Sequence, residues 1–232
     1  MFQDITRFNF PTVIVFGPGA ITLLPDCLAE TGIRKPLLVT DPGLVKTAAF
    51  TKVQEVLKNA YPSVSIFSGV HPNPVEDDVE QAGARFRKDG CDGVIGLGGG
   101  SALDVAKAVA VRVTHDGPLS RYEAQTGGYK LITGPVPPVI AIPTTAGTGS
   151  EVGRSAVITI PALGRKIVIF SPLLMPKRAI EDPELTVSLP PLLTASTGMD
   201  AFTHNLESLT CPVFHPICDA VALGGLELPQ LL

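Results

Sequence analysis

The glycine-rich turn Gly98-Gly99-Gly100-Ser101 has the strongest consequences for how this chain can fold. It follows the short apolar run 93–97, and apolar residues between 103 and 113 then recur at helical spacing. The segment therefore predicts a strand that passes through glycines directly into a helix. Because glycines lack Cβ atoms, a ligand can approach the backbone, and the first N–H groups of the helix face any anion bound there. The turn predicts a phosphate-binding site, and the open alternative is a turn whose glycines serve tight packing alone.

Three polar residues near this turn extend the predicted site. Ser101 supplies a hydroxyl, and Asp104 can cap helix N–H groups or accept a hydrogen bond from a ligand hydroxyl. Lys107, one helical turn later, can offset the charge of a phosphate.

Strands and single helices alternate through the first half of the chain. Strands are predicted at 13–16, 36–41, 64–67, 93–97 and 139–142, and helices at 21–31, 44–58, 75–88 and 103–113. This alternation is typical of an α/β fold with a parallel sheet covered on both faces, in which ligands bind at the carboxyl ends of strands. Asp41, Asn73 and the glycine turn follow strands and are expected at such ends.

A second ligand-like loop, Pro143-Thr144-Thr145-Ala146-Gly147-Thr148-Gly149-Ser150-Glu151, follows the strand 139–142. Its small hydroxyl residues and glycines suit hydrogen bonding to a nucleotide, although a plain cluster of β-turns has the same composition. Residues 114–138 are predicted as a surface excursion of unassigned role. Further on, residues 156–160 and 166–170 predict a hairpin or paired strands, and residues 179–180 predict a last short strand.

Helical patterns replace strand patterns after Asp182-Pro183, which predicts domains at 1–182 and 183–232. A helix is predicted at 192–209, and His215 is expected to pack at the start of the next helix. Within the first helix, Asp200 and His204 are four residues apart and share a face. A carboxylate and an imidazole placed together suit a divalent metal, while a simple surface ion pair is the alternative.

Composition excludes several functional classes. Of the 232 residues, 45% are hydrophobic and 17% charged, which is a globular rather than a disordered profile. The net charge of −4 and the scattered basic residues predict no nucleic-acid partner. No apolar run is long enough for a membrane span and residues 1–4 carry no targeting pattern, so a cytoplasmic protein is expected. The four cysteines form no Cys-x-x-Cys pair, which predicts free thiols.

Three motifs taken together resemble the iron-containing (group III) alcohol dehydrogenases. They are Gly98-Gly99-Gly100-Ser101-x-x-Asp104-x-x-Lys107, Pro143-Thr144-Thr145-x-Gly147-Thr148-Gly149-Ser150-Glu151, and Asp182-Pro183-Glu184-Leu185-Thr186 with Gly198-Met199-Asp200-Ala201-Phe202-Thr203-His204. The resemblance runs from about Phe10 to about Leu226. It implies an α/β, parallel-sheet dinucleotide-binding domain of the dehydroquinate-synthase type, followed by the start of an all-helical domain, with the active site between them.

The resemblance also implies roles for individual residues. Asp41 would meet the adenosine ribose, and Asp200 and His204 would hold a divalent metal, Fe²⁺ or Zn²⁺. Because an acid at a strand end repels a 2′-phosphate, NAD is favoured over NADP. The other residues expected at the nucleotide are Gly99, Gly100 and Ser101 at the pyrophosphate with Asp104 beside them, and Asn73, Thr144, Thr145, Lys166 and Leu185 along the cleft.

The chain departs from the family pattern in its second part. The family completes its metal site with two later histidines, whereas here no histidine follows His215 and residues 228–232 no longer resemble the family helix. Gly153 also stands where many relatives carry a hydroxyl or amide residue. A C-terminally truncated chain is therefore expected.

The residues and the family resemblance leave three functional hypotheses open. The first is an NAD(P)-dependent, metal-assisted and homo-oligomeric oxidoreductase that interconverts a small alcohol with an aldehyde or ketone. The second is a catalytically silent nucleotide-binding module. The third is a relative of glycerol dehydrogenase or maleylacetate reductase.

Overall fold

The computed structural model describes residues 12–61 and 64–227, and the sequence predictions for 1–4 and 228–232 lie outside them. The strands of this described part are β1 (Val13–Phe16), β2 (Pro36–Val39), β3 (Ser65–Phe67), β4 (Gly93–Gly98), β5 (Val139–Pro143), β6 (Ser155–Ile160), β7 (Arg165–Phe170) and β8 (Arg178–Glu181). Six of them form one parallel sheet in the order β1-β8-β5-β4-β2-β3, as the alternation of strands and helices predicts. The other two, β6 and β7, form an antiparallel hairpin.

In the described residues, four α-helices cover the sheet and two follow it. They are α1 (Leu24–Glu30), α2 (Ala48–Ala60), α3 (Glu76–Asp89), α4 (Gly100–Arg112), α5 (Pro191–Thr210) and α6 (Pro216–Glu227). Short 3-10 turns occupy Ala20–Leu23, Leu44–Lys46, Leu119–Tyr122, Gly128–Leu131, Ser150–Val152, Pro161–Leu163, Pro172–Leu174 and Pro183–Leu185.

Two predicted helices begin later than their periodicity indicates. Residues 44–46 form a separate 3-10 turn, and α2 begins only after Thr47, whose hydroxyl accepts a hydrogen bond from the amide of Phe50. An N-cap of this kind fixes where a helix starts more strongly than apolar spacing does. Similarly, the region predicted as a helix from residue 21 begins as a 3-10 turn, and α1 starts at Leu24 with Pro25 in its first turn.

The central strand β4 divides the core into two layers. Val94 belongs to the cluster packed beneath α3 and α4, whereas Ile95 and Leu97 belong to the cluster beneath α1 and α2. On the α4 side, Gly96 leaves room for that helix, since a Cβ there would lie 2.9 Å from the Cβ of Ala106. The helix α4 therefore packs closely against β4, the strand that leads into it through the glycine turn.

The last two helices pack mainly on each other and expose apolar side chains, including Met199, Phe202 and Val221. His215 lies just before α6, and its Nδ1 accepts a hydrogen bond from the amide of Cys218 at 3.1 Å. The sequence predicts that His215 packs at this helix start, and the structure shows a hydrogen bond from the first turn of the helix to its ring. Among residues 12–61 and 64–227, every helix is too short or too polar to traverse a lipid bilayer.

Candidate functional site

The glycine turn and the second ligand-like loop lie side by side at the carboxyl edge of the sheet. Strands β4 and β5 are neighbours, and the amide of Thr144 donates to the carbonyl of Gly98 at 3.0 Å. A Cβ on Gly99 would lie 3.5 Å from the side chain of Thr145. The order of the strands reverses next to this turn, between β2 and β4, because β3 lies on one side of β2 and β4 lies on the other. Sheets of α/β proteins bind ligands at such points.

Two glycines of the turn have no room for a side chain. Gly98 has a φ of 145°, and a Cβ on it would lie 2.9 Å from the Cβ of Ala102. A Cβ on Gly100 would lie 2.9 Å from Cγ2 of Thr148. Because Gly99 is the N-cap of α4 and brings no capping side chain, the first N–H groups of that helix are left for an anion. The turn thus fits the pyrophosphate of a dinucleotide.

Asp41 lies beside this turn and is anchored by one of its two oxygens. Its Oδ1 accepts hydrogen bonds from the amides of Gly43 at 2.8 Å and Leu44 at 2.9 Å. Its Oδ2 lies 3.5 Å from the position of a Cβ on Gly98. The anchored oxygen fixes the side chain, so the second oxygen is held at the rim of the glycine turn, where a ribose hydroxyl could donate to it.

Ser101, Asn73 and Lys166 also come together at this edge. The hydroxyl of Ser101 donates to the carbonyl of Pro72 at 2.6 Å, and Nζ of Lys166 donates to Oδ1 of Asn73 at 2.9 Å. The amide of Thr159 donates to the carbonyl of Pro74 at 2.8 Å and joins the β6–β7 hairpin to the same loop. The loop after β3 therefore links the glycine turn to the hairpin that carries Lys166.

Lys107 has a structural position rather than the phosphate-facing one expected from its spacing. Its side chain is 1% exposed, and its Nζ lies 3.1 Å from Oδ1 of Asp104. Nζ also donates to Oγ of Ser150 at 2.6 Å and to the carbonyl of Ser150 at 3.0 Å. Burial lowers the pKa of Lys107, while the charge of Asp104 opposes that shift. The buried cation thus ties α4 to the second loop.

Asp104 completes the same network with both of its oxygens. Oδ1 accepts from the hydroxyl of Ser150 at 2.6 Å, and Oδ2 accepts from the amide of Val157 at 2.9 Å. The network connects the first turns of α4, the second loop and strand β6. It also keeps Thr148, two residues before Ser150, against Gly100.

Two carboxyl groups at the same edge have perturbed acidities. Burial raises the pKa of Glu151. Burial also raises the pKa of Glu181, and the nearby charge of Glu151 raises it further. These groups hold protons more strongly than ordinary glutamates do.

The structure places three of the remaining predicted residues away from the glycine turn's immediate contacts. Leu185 is fully buried in the core layer beneath α1 and α2. Asp200 and His204 lie on α5 with Oδ1 and Nε2 3.9 Å apart, and their side chains are 43% and 52% exposed. The helix itself reaches the second loop, since a Cβ on Gly147 would lie 2.9 Å from the carbonyl oxygen of Thr197.

Asp200 and His204 supply only part of the set of ligands that a metal ion needs. One carboxylate oxygen and one imidazole nitrogen are suitable ligands for Fe²⁺ or Zn²⁺, but a protein site normally supplies about three. Within the described part of the chain, no group of three or more His, Cys, Asp or Glu side chains could hold a metal. The described residues do not by themselves fit a complete metal site.

Several contacts that shape the site are absent from the sequence interpretation. Ser150 as the partner of Lys107, and Thr148 as the residue facing Gly100, both lie in the second loop. The sequence shows that this loop is rich in hydroxyl residues. No spacing rule, however, pairs Ser150 with Lys107, which lies 43 residues earlier. Glu123 forms an ion pair with Arg165, and no motif signals that contact.

Comparisons with known proteins identify relatives of this chain. Residues 11–183 match the family model described as iron-containing alcohol dehydrogenase. The chain is 45% identical over 209 residues to 4-hydroxybutyrate dehydrogenase of Cupriavidus necator, covering 90% of this chain and 54% of the relative. It is 44% identical to choline dehydrogenase of Bacillus subtilis (strain 168), covering 97% and 56% respectively. The chain thus spans about half the length of these curated relatives.

Solved structures give the same match. A 1,3-propanediol oxidoreductase superposes with a TM-score of 0.87 at 41% identity, covering 94% of this chain and 56% of its own. The sulfoacetaldehyde reductase of Bifidobacterium kashiwanohense, solved in complex with NAD+, superposes with a TM-score of 0.84 at 34% identity, covering 95% and 57%.

Proposed function

Because the chain belongs to the iron-containing alcohol dehydrogenase family, we propose that its α/β part binds NAD for an oxidoreductase that interconverts a small alcohol with an aldehyde or ketone. The observation that carries this proposal is the glycine turn of Gly98 and Gly100, which has no room for a Cβ and opens into the uncapped start of α4. When bound, NAD supplies the acceptor for a hydride from the alcohol carbon.

Charged groups, hydrogen-bonding groups and bordering side chains each contribute to the proposed NAD site. The amides at the start of α4 face the pyrophosphate, and Lys166 adds a cation beside Asn73. Thr144 and Thr145 border the turn from the second loop. The free oxygen of Asp41 accepts from a ribose 2′-hydroxyl and repels a 2′-phosphate, which supports NAD over NADP.

Asp200 and His204 remain the proposed metal ligands, with the choice between Fe²⁺ and Zn²⁺ open. A bound divalent ion would supply Lewis acidity toward the substrate oxygen. The described residues offer only part of a donor set. We also propose that this chain assembles into a homo-oligomer. The apolar side chains that α5 and α6 expose support this proposal.

Calorimetric titration of NAD into the purified 232-residue chain tests the proposal. We expect saturable binding of one NAD per chain, weaker binding of NADP, and loss of binding in Gly100→Val. Absence of NAD binding to the wild-type chain, or unchanged affinity in the variant, would overturn the proposed site.

A catalytically silent nucleotide-binding module is the second candidate, and the incomplete metal donor set favours it for this chain alone. Alcohol-dependent formation of NADH, measured with added Fe²⁺ or Zn²⁺, separates the two candidates. We expect NAD binding with little turnover by this chain. Turnover with metal retained through dialysis would instead mean that further residues or a second copy complete the site.

A further inference from the structure

We propose that the segment 114–138 positions Lys166 for the cofactor through an ion pair between Glu123 and Arg165. The inference rests on the proposed NAD site and assigns a role to a segment that the sequence leaves unassigned. Glu123 and Arg165 are positioning residues in this account, since neither is placed in contact with the cofactor.

The ion pair has two parallel bonds. Nη1 of Arg165 lies 2.5 Å from Oε1 of Glu123, and Nη2 lies 2.9 Å from Oε2. This fork geometry fixes orientation as well as distance. The side chain of Glu123 is 4% exposed, so the anchor belongs to the body of the protein, whereas the side chain of Arg165 is 49% exposed. The guanidinium holds the pKa of Glu123 below its usual range, and the carboxylate is therefore ionised at neutral pH.

Backbone contacts hold the segment along β7 next to the ion pair. The amide of Ala124 donates to the carbonyl of Val168 at 2.8 Å, and Glu123 forms an isolated antiparallel bridge with Ile169. The segment therefore supports β7 on the side away from β6. The ion pair extends this support to Arg165, the first residue of the strand, which follows the hairpin turn.

Lys166 is the residue that this support places. It follows Arg165 directly, and successive strand residues point to opposite faces, so Arg165 faces the segment while Lys166 faces Asn73. Nζ of Lys166 lies 2.9 Å from Oδ1 of Asn73. The long side chain of Lys166 can reach a ligand in one defined position only if the Cα atom of Lys166 is held in place. The ion pair holds Arg165, the adjacent residue.

A purely electrostatic role for the pair predicts the opposite result from a positioning role. Glu123→Gln removes a negative charge near the site, leaves Arg165 uncompensated and should strengthen binding of an anionic dinucleotide by charge alone. The positioning account predicts weaker binding, because Lys166 loses its fixed place. The sign of the change in NAD affinity therefore discriminates between them.

The decisive experiment is a double-mutant cycle on NAD affinity by calorimetry, with the full chain and the variants Arg165→Met, Lys166→Met and the double variant. We expect Lys166→Met to raise the Kd for NAD about tenfold and Arg165→Met about threefold. In the Lys166→Met background, Arg165→Met should have no further effect. Additive effects, or an unchanged Kd in Arg165→Met, would overturn the inference.

Controls separate positioning from general damage to the fold. Arg178→Met removes another arginine at the start of a strand, which pairs with Glu30, and it should leave the Kd unchanged. Arg165→Lys, which retains a cation for Glu123, should recover part of the affinity, and it replaces Arg165→Met in the cycle if that variant does not fold. A wild-type chain that does not bind NAD would overturn both the proposed function and this inference. Loss of affinity in Lys166→Met with no loss in Arg165→Met would overturn only the inference.

Discussion

Replacing Lys107 with Met should lower the stability of the fold by about 3 kcal/mol. Met keeps most of the aliphatic volume of the buried side chain but leaves Asp104 and the carbonyl of Ser150 without their cation. Removing one partner of a buried ion pair costs about 3–5 kcal/mol. The lower value applies here because Asp104 retains hydrogen bonds from Ser150 and Val157.

The assay is urea denaturation followed by circular dichroism, together with a thermal melt. For a chain of this size, about 2–4 °C is lost per kcal/mol, so the melting temperature should fall by about 6–12 °C. Lys35→Met is the matched control: Lys35 is exposed, and its replacement should change the stability by less than about 0.5 kcal/mol.

A double variant identifies the source of the cost. Asp104→Asn combined with Lys107→Met removes both charges and should be more stable than Lys107→Met alone, because no uncompensated carboxylate remains in the interior. A loss below about 1 kcal/mol for Lys107→Met, or a double variant no more stable than the single one, would refute the buried network as a stabilising link.

Three further variants probe the site. Gly100→Val should raise the Kd for NAD at least about tenfold in calorimetry, because its Cβ would lie 2.9 Å from Thr148; wild-type affinity would contradict the cradle. Asp41→Asn keeps the acceptor for the loop amides but removes the charge, so the ratio of NADP to NAD affinity should rise about tenfold, and an unchanged ratio would make Asp41 purely structural. For Glu151→Gln, the free energy of unfolding in urea, compared with that of wild type, should increase as the pH rises above about 4.5. The reason is that the raised pKa of Glu151 lets the unfolded chain lose its proton first, so wild-type stability falls with pH across that window, and a pH-independent difference would argue against the raised pKa.

Local patterns in the sequence were sufficient to predict the sheet and the position of the glycine turn at its carboxyl edge. Strand β4, the glycine turn and α4 are specified by adjacent residues, and the parallel sheet follows from the alternation of such units. The pairing of β6 and β7 was predicted in the same way and is confirmed, and the structure adds that the two strands are antiparallel. Each of these features depends on residues that are close together in the chain.

Contacts between distant residues could not be predicted in this way. The partner of Lys107 lies 43 residues away and that of Glu123 42 residues away. Spacing placed Lys107 one turn from the glycines, and the structure shows that the side chain turns inward to Ser150 instead of toward a phosphate. The start of α2 was misplaced for a related reason, because the hydroxyl of Thr47 and the carboxylate of Asp41 organise the preceding turn.

Hydrogen exchange with and without saturating NAD, resolved by mass spectrometry, tests the location of the proposed site most directly. Binding should slow exchange in peptides that cover 98–104 and 143–150, and in the peptide that contains Lys166, while α1 and its flanking residues keep their exchange rates. Protection confined to other elements, or none at saturation, would contradict the assignment of the glycine turn and the second loop to the cofactor.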